Sequence, residues 1–230
     1  MNGMNGYNAG LTVILADGEP PSHDAALSLF RSADRVVACD GAWRTAVALG
    51  RVPDAVAGDG DSLTDGDSAE LARLGVPVIA DSEQDTNDLC KAFRYATAGA
   101  AGMIAILGAT GKREDHAIGN IFHLADFAAT NPDVSIVTDS GTFEPVLPPG
   151  REWDCALPGS PVSVFATHPG TVMESEGLKW PLRGVRFDAL WRGTLNRTVS
   201  RRFSISTDRI AIVFRPHAQD VPGDPRDILG

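Results

Sequence analysis

Over the first 140 residues, short apolar runs alternate with segments whose apolar residues recur at helical spacing. The runs Leu11–Ala16, Arg35–Cys39, Ala55–Ala57, Val76–Ala80, Met103–Leu107 and Val134–Thr138 read as strands. Between them, His23–Ala33, Ala42–Leu49, Asp67–Leu74, Thr86–Ala98 and Asp115–Ala129 read as helices. In the first helix Ala26, Leu27, Phe30 and Ala33 share one face; Gly50 and Gly75 stop the second and third. This alternation predicts an α/β fold with a doubly wound, mostly parallel, Rossmann-like sheet covered by helices on both faces. In such sheets the ligand crevice lies beyond the carboxyl ends of the strands.

The pattern changes near Gly141, where proline and glycine become frequent and helical periodicity stops. The β-type runs Val162–Ala166, Thr171–Glu174, Thr198–Ile205 and Ile210–Phe214 predict a C-terminal all-β sandwich. The expected domains are therefore 9–140 and 141–218, with loose termini at 1–8 and 219–230.

Composition narrows the function. Of 230 residues, 43% are apolar and 22% charged, enough to bury a core. The net charge of −10 argues against nucleic-acid binding, since the densest basic stretch holds only Arg192, Arg197, Arg201 and Arg202. Cys39, Cys90 and Cys155 fit neither a zinc spacing nor a disulfide framework, which suits buried thiols in a reducing compartment. The run Leu11–Ala16 is too short to span a membrane, and Met1–Gly10 has no basic leader. The expectation is a cytoplasmic protein that contacts no membrane.

The candidate chemistry lies at the strand ends. Asp40 follows one apolar run, Asp59 and Asp61 a second, and Asp85 and Asp88 a third. Parallel strands would bring all five carboxylates to one rim. Like charges about 4 Å apart repel by about 4 kcal/mol at an effective dielectric near 20, so such a rim calls for a cation and a polyphosphate that shares it.

Asp59-Gly60-Asp61-Ser62 can converge two carboxylates on one ion or be a plain aspartate-rich turn; an EF-hand is excluded, because Leu63 and Thr64 stand where that loop needs an oxygen ligand and a glycine. Gln84-Asp85-Thr86-Asn87-Asp88 opens a helix, with Asp85 as its expected N-cap. Gly108-Ala109-Thr110-Gly111-Lys112-Arg113-Glu114-Asp115-His116 joins a strand to a helix. It forms either an anion-binding turn backed by Lys112 and Arg113 or a tight turn capped by Asp115. It satisfies neither the Walker pattern nor GxGxxG. Trp180 before Pro181 is a packing residue or a stacking surface. The five histidines form no metal-spaced pair and read as surface or capping residues. No serine elbow is present.

These motifs, in this order, resemble the thiamine pyrophosphokinase family. The matching residues are Asp40-Gly41, Leu49-Gly50-Arg51-Val52-Pro53-Asp54, Gly58-Asp59-Gly60-Asp61-Ser62, Gln84 to Asp88, Gly108 to His116 and Gly177-Leu178-Lys179-Trp180-Pro181-Leu182, followed by a loop at Leu195-Asn196. The resemblance implies Mg²⁺-dependent transfer of diphosphate from ATP to the hydroxyl of thiamine, leaving AMP. It implies a homodimer with its active site at the subunit interface. It implies Mg²⁺ on Asp59, Asp61 and Asp88, with Asp40 or Asp85 taking the proton and Arg113 and Asp115 on the nucleotide side. ATP would meet Gly108, Thr110, Gly111, Lys112, Arg113 and Arg44; thiamine would meet Gln84, Trp180 and Asn196. The chain departs from the family pattern at Ala42-Trp43-Arg44, Gly60, Asn87 and Leu195. The alternatives are a diphosphotransferase acting on another alcohol, such as a pterin, and a non-catalytic thiamine- or nucleotide-binding protein.

Overall fold

The computed structural model describes residues 10–99, 102–155 and 157–218, so the termini expected to be loose lie outside the described residues. The chain forms two compact units, 1–123 and 124–230.

In the first unit, strands β1 (Leu11–Leu15), β2 (Arg35–Cys39), β3 (Ala55–Gly58), β4 (Val78–Ala80) and β5 (Met103–Leu107) pair in parallel in the order β4-β3-β2-β1-β5. The central strands are apolar because both faces are buried: Val13, Ile14, Val36, Val37, Ala55, Val56, Ile104 and Ile106 are all at 0% exposure. The intervening helices are α1 (Asp24–Ser32), α2 (Trp43–Ala48), α3 (Asp65–Leu74) and α4 (Asp88–Thr97); α5 (Glu114–Thr130) contains the division between the units. This is the expected α/β alternation.

Helix starts differ from expectation where side chains compete for the backbone. His23 caps α1 through its ring nitrogen. Thr64 and Asp67 form a reciprocal capping box that starts α3 at Asp65 rather than at Asp67. Asn87, not Asp85, caps α4, accepting from the Cys90 N–H at 3.1 Å. Residues 81–86 are held off the helix by Glu83, whose carboxylate accepts the N–H groups of Asp85 and Thr86, and by Arg94, which bridges Asp81 and Glu83.

The second unit holds β6 (Val134–Thr138), β7 (Gly141–Val146), β8 (Gly150–Asp154), β9 (Pro161–Ala166), β10 (Met173–Glu176), β11 (Gly193–Arg197), β12 (Arg202–Thr207) and β13 (Ala211–Pro216). One antiparallel set runs β6-β7-β13-β9-β11, and a separate sheet runs β10-β12-β8. Val164, Val213, Trp153, Phe203, Ile205 and Met173 fill a common core between them, with the Trp153 and Phe203 rings stacked at 4.9 Å. The all-β expectation holds from Gly141 onward, while the unit itself begins earlier, at Leu124 within α5. Strands β7, β8 and β11 were not legible: β7 contains Pro145, β8 buries only Trp153, and β11 carries a register shift between Gly193 and Asn196.

Candidate active site

The parallel ladder pairs Cys39 with Ala57, so β2 and β3 end side by side. Asp40 begins a 3-10 turn directly after β2, Asp59 follows β3, and Asp88 is the first residue of α4. Carboxylate oxygens of Asp40, Asp59 and Asp88 lie within 4.8 Å of one another. Three successive backbone N–H groups hold them. Asp59 donates to Asp88 Oδ1 at 3.2 Å, Gly60 to Asp40 Oδ2 at 2.5 Å, and Asp61 to Asp59 Oδ1 at 3.1 Å. The Asp-Gly-Asp turn thus organises the cluster through its main chain.

This changes the expected grouping. Asp40 belongs to the converging set, because β2 delivers it to the turn at 0% exposure. Asp61 does not, since its N–H is given to Asp59 and its side chain is exposed. Asp85 also stands apart, exposed and tied through its N–H to Glu83. The rim of five carboxylates is therefore a cluster of three with two exposed neighbours.

Burial pushes the Asp40 carboxyl above its ordinary pKa, opposed by the Gly60 N–H and reinforced by Asp88 and Asp59. Burial likewise raises Asp88, with Asp59 adding to it. The Asp61 N–H, then Lys91, hold Asp59 low, and Gln84 contributes in the same direction. Asp40 Oδ1 is buried and accepts no hydrogen bond. A buried lone acceptor beside two further carboxylate oxygens suits a hard divalent cation, so the donor set fits Mg²⁺.

The sequence does not mark Lys91 as part of the site. It lies one turn after Asp88 on α4 with its side chain 2% exposed, its Nζ 3.4 Å from Asp59 Oδ2 and 3.6 Å from Asp88 Oδ1. Burial alone would lower its pKa, yet Asp59 and Asp88 outweigh burial and raise it. Its only sequence signal is the Asp88-x-x-Lys91 spacing, which also describes an ordinary exposed helix pair.

Asp88 and Asn87 share a crevice of about 310 Å³ with Gly111, Lys112 and Arg113 of the β5–α5 loop. That loop is fixed by backbone bonds from Gly18 N to Gly108 O (2.7 Å) and from Glu19 N to Thr110 O (2.8 Å). Asn120 joins its two walls, donating to Ala109 O at 2.8 Å and accepting from Asn87 Nδ2 at 2.9 Å. Lys112 sits at φ 54°, and its ammonium contacts Asp17 at 2.9 Å, a partner not found in the sequence. Asp115 does not cap α5. It lies inside the first turn and binds the Arg113 guanidinium at 3.1 and 2.5 Å, both side chains about two-thirds exposed. Arg44 stands apart from this crevice: it pairs with Asp67 in the α3 capping box and lies 5.1 Å over the Trp43 ring.

In the second unit, Trp180 and Asn196 line a groove of about 360 Å³. Trp180 is 52% exposed, with Lys179 Nζ 4.8 Å from its ring. Asn196 is buried and clamps the Trp180 main chain, accepting from its N–H at 3.2 Å and donating to its carbonyl at 2.6 Å. Leu195 beside it is 83% exposed at φ 59°. His217, expected at the surface, is buried with its ring nitrogen 2.8 Å from Thr138 O. Cys39 and Cys90 are buried as expected, whereas Cys155 is only partly buried. Burial, then Asp88 and Asp40, raise the Cys39 thiol well above its ordinary value.

Comparison with known proteins divides the chain near residue 140, not at 123 where the two compact units part. Residues 26–137 match the family model of the thiamin pyrophosphokinase catalytic domain, and residues 141–214 that of the thiamin pyrophosphokinase substrate-binding domain. A thiamine pyrophosphokinase from Bacillus subtilis (strain 168) is 29% identical over 108 residues, 46% of this chain and 50% of that protein. Thiamine pyrophosphokinase 1 from Oryza sativa subsp. japonica is 36% identical over 83 residues, 33% of this chain and 31% of that protein. The matched stretches thus span half or less of these curated relatives. Among solved structures, the Bacillus subtilis thiamine pyrophosphokinase superposes with a TM-score of 0.74 at 22% identity, covering 89% of this chain and 98% of that one. The yeast thiamin pyrophosphokinase gives 0.75 at 14%, covering 93% and 88%. At these identities the likeness is one of fold.

Proposed function

We propose that this chain, which belongs to the thiamine pyrophosphokinase family, transfers diphosphate from ATP to the hydroxyl of thiamine, giving thiamine diphosphate and AMP. The supporting observation is the three-carboxylate cluster of Asp40, Asp59 and Asp88 opening beside the Lys112–Arg113 loop. Residues 9–140 would form the catalytic part and 141–218 the thiamine-binding part.

Asp40, Asp59 and Asp88 would hold Mg²⁺, with the exposed Asp61 carboxylate as a further proposed ligand. When bound, Mg²⁺ neutralises phosphate charge. The alcohol oxygen of thiamine bonds to the β-phosphorus as the bond from that phosphorus to the α–β bridging oxygen breaks, and AMP leaves. With Asp40 committed to the cluster, Asp85 beside Gln84 is the carboxylate left to take the alcohol's proton. Gly108, Thr110 and Gly111 would present the loop to the phosphates, and Lys112 and Arg113 would supply positive charge, with Asp115 orienting the Arg113 fork. Gln84 would orient thiamine and Trp180 would stack on it, with Asn196 fixing the Trp180 backbone. Trp180 would reach the site from a second copy in a homodimer. Among the described residues no helix is long and apolar enough to cross a membrane, and a cytoplasmic location is part of the same proposal.

The test is ATP and thiamine with Mg²⁺, with thiamine diphosphate and AMP detected by mass. Both products should appear together and only with metal. AMP formed with a pterin and none with thiamine would move the assignment to another alcohol. Ligand-induced thermal stabilisation without turnover would reduce it to binding.

A further inference from the structure

We propose that Lys91 is a resident counter-ion of the carboxylate cluster, which holds Asp59 and Asp88 together before a metal arrives and limits the cluster to one divalent ion. A lysine is almost never fully buried unless its charge is paired. Lys91 is buried against the cluster itself, and its ammonium stands 3.4 and 3.6 Å from two different carboxylates. Both distances exceed the 2.7–2.9 Å or so of a committed charge-assisted hydrogen bond. The ammonium therefore lies between its two partners and belongs to neither.

The charges support the same role. Within the converged set, with the exposed Asp61 left out of the count, three carboxylates and one ammonium leave two net negative charges, which a single divalent ion neutralises. Asp40 is the carboxylate that Lys91 does not contact, and its Oδ1 is the buried acceptor without a partner. Lys91 thus covers the Asp59 and Asp88 side of the cluster, while the Asp40 side retains unused ligand capacity. Because Lys91 and Asp88 lie on one turn of α4, the ammonium stays in register with the carboxylate whether or not an ion is bound.

The inference rests on the proposed metal reading, so its test omits ATP and thiamine and reads metal binding directly. Mn²⁺ is titrated into the full chain, free Mn²⁺ is followed by electron paramagnetic resonance, and melting is measured with and without Mn²⁺. The proteins are wild type, Lys91→Met, Lys91→Arg and Asp88→Asn. The expected results are one ion per wild-type chain and similar affinity in Lys91→Arg. Lys91→Met should bind about tenfold tighter or more, since a positive charge a few Å from the ion is removed. It should also melt lower than wild type without Mn²⁺ and recover most of the deficit with it. A lysine serving packing alone would cost stability equally in both conditions.

Affinity in Lys91→Met equal to or weaker than wild type, or a melting deficit that Mn²⁺ does not reduce, overturns the proposal. If Lys91→Met is recovered unfolded, refolding only in the presence of Mn²⁺ supports the proposal, and failure in both conditions counts against it. Wild type that binds no Mn²⁺, or Asp88→Asn that binds like wild type, overturns the metal reading and this inference with it; a wild type that binds one ion while Lys91→Met is unchanged overturns only the inference.

Discussion

One methyl group at Gly58 should disable the cluster without touching substrate. Gly58 ends β3, and a Cβ there would stand 2.6 Å from Asp40 Oδ2 and nearer still to its Cγ and Oδ1. Its backbone lies outside the left-handed region, so alanine meets no φ strain; the nearest obstacle is the Asp40 carboxylate. Displacing that carboxylate breaks the bond from Gly60 N–H, worth about 1.5–3 kcal/mol for a charged acceptor. Crowding a packed site adds about 1–3 kcal/mol. Reduced freedom of the unfolded chain returns about 0.4–1 kcal/mol. The net expectation for Gly58→Ala is a loss of about 2–5 kcal/mol in urea unfolding, with AMP release falling to background. Gly60→Ala is the contrast: φ is +87° with nothing within 4 Å, so it should cost about 1–2 kcal/mol from backbone strain and leave Asp40 in place. In an Asp40→Ala background the Gly58 methyl should cost much less, because the three atoms nearest to it are gone. A Gly58→Ala protein with wild-type stability and turnover, or one equally destabilised in both backgrounds, would refute the reasoning.

Three further outcomes follow from particular contacts. Asn196→Ala removes both bonds that clamp Trp180 and should raise the KM for thiamine more than it lowers kcat; a change confined to kcat would remove Asn196 as a positioning residue. Asp67 is held below the usual carboxylate range by the Thr64 hydroxyl and N–H and then by Arg44. Because its folded pKa is depressed, its contribution is complete above the unfolded value near 3.8 and is lost as pH falls through the folded value, so Asp67→Asn should flatten the acid limb of a stability-against-pH curve and an unchanged limb would contradict this. Phe203→Ala opens the stacked Trp153 pair in a fully packed core and should cost about 3–5 kcal/mol by chemical denaturation; a loss below about 1 kcal/mol would mean that the core collapses around the gap.

The alternation of strands and helices was readable because a parallel strand buried on both faces, such as Arg35–Cys39, leaves a continuous apolar run. Gly150–Asp154 leaves none: Trp153 is its one buried residue, and the strand exists because Arg202–Thr207 pairs with it. The aspartates at the strand ends were legible as a set, since topology alone carries Asp40 and Asp59 to one end of the sheet. Which of them meet was not legible. That depends on three N–H groups in the Asp59–Asp61 turn and on an α4 start set by Asn87. Lys91 was invisible for a related reason: a lysine three residues after an aspartate looks the same on an exposed helix face as on a buried one, and only the position of Asp59 distinguishes them.

The members of the cluster come from β2, β3 and α4, and Asp40 and Asp88 are separated in sequence by the whole of α2, β3, α3 and β4. A form in which β2, β3 or α4 is unfolded cannot assemble it, so an ion bound here would favour the form in which all three are folded. By mass action a hundredfold excess of ion over its dissociation constant stabilises that form by about 2.7 kcal/mol, about a hundredfold fewer open molecules. Where degradation draws on the opened population, an ion held at the proposed site would lengthen the survival of each copy, apart from any part it has in turnover.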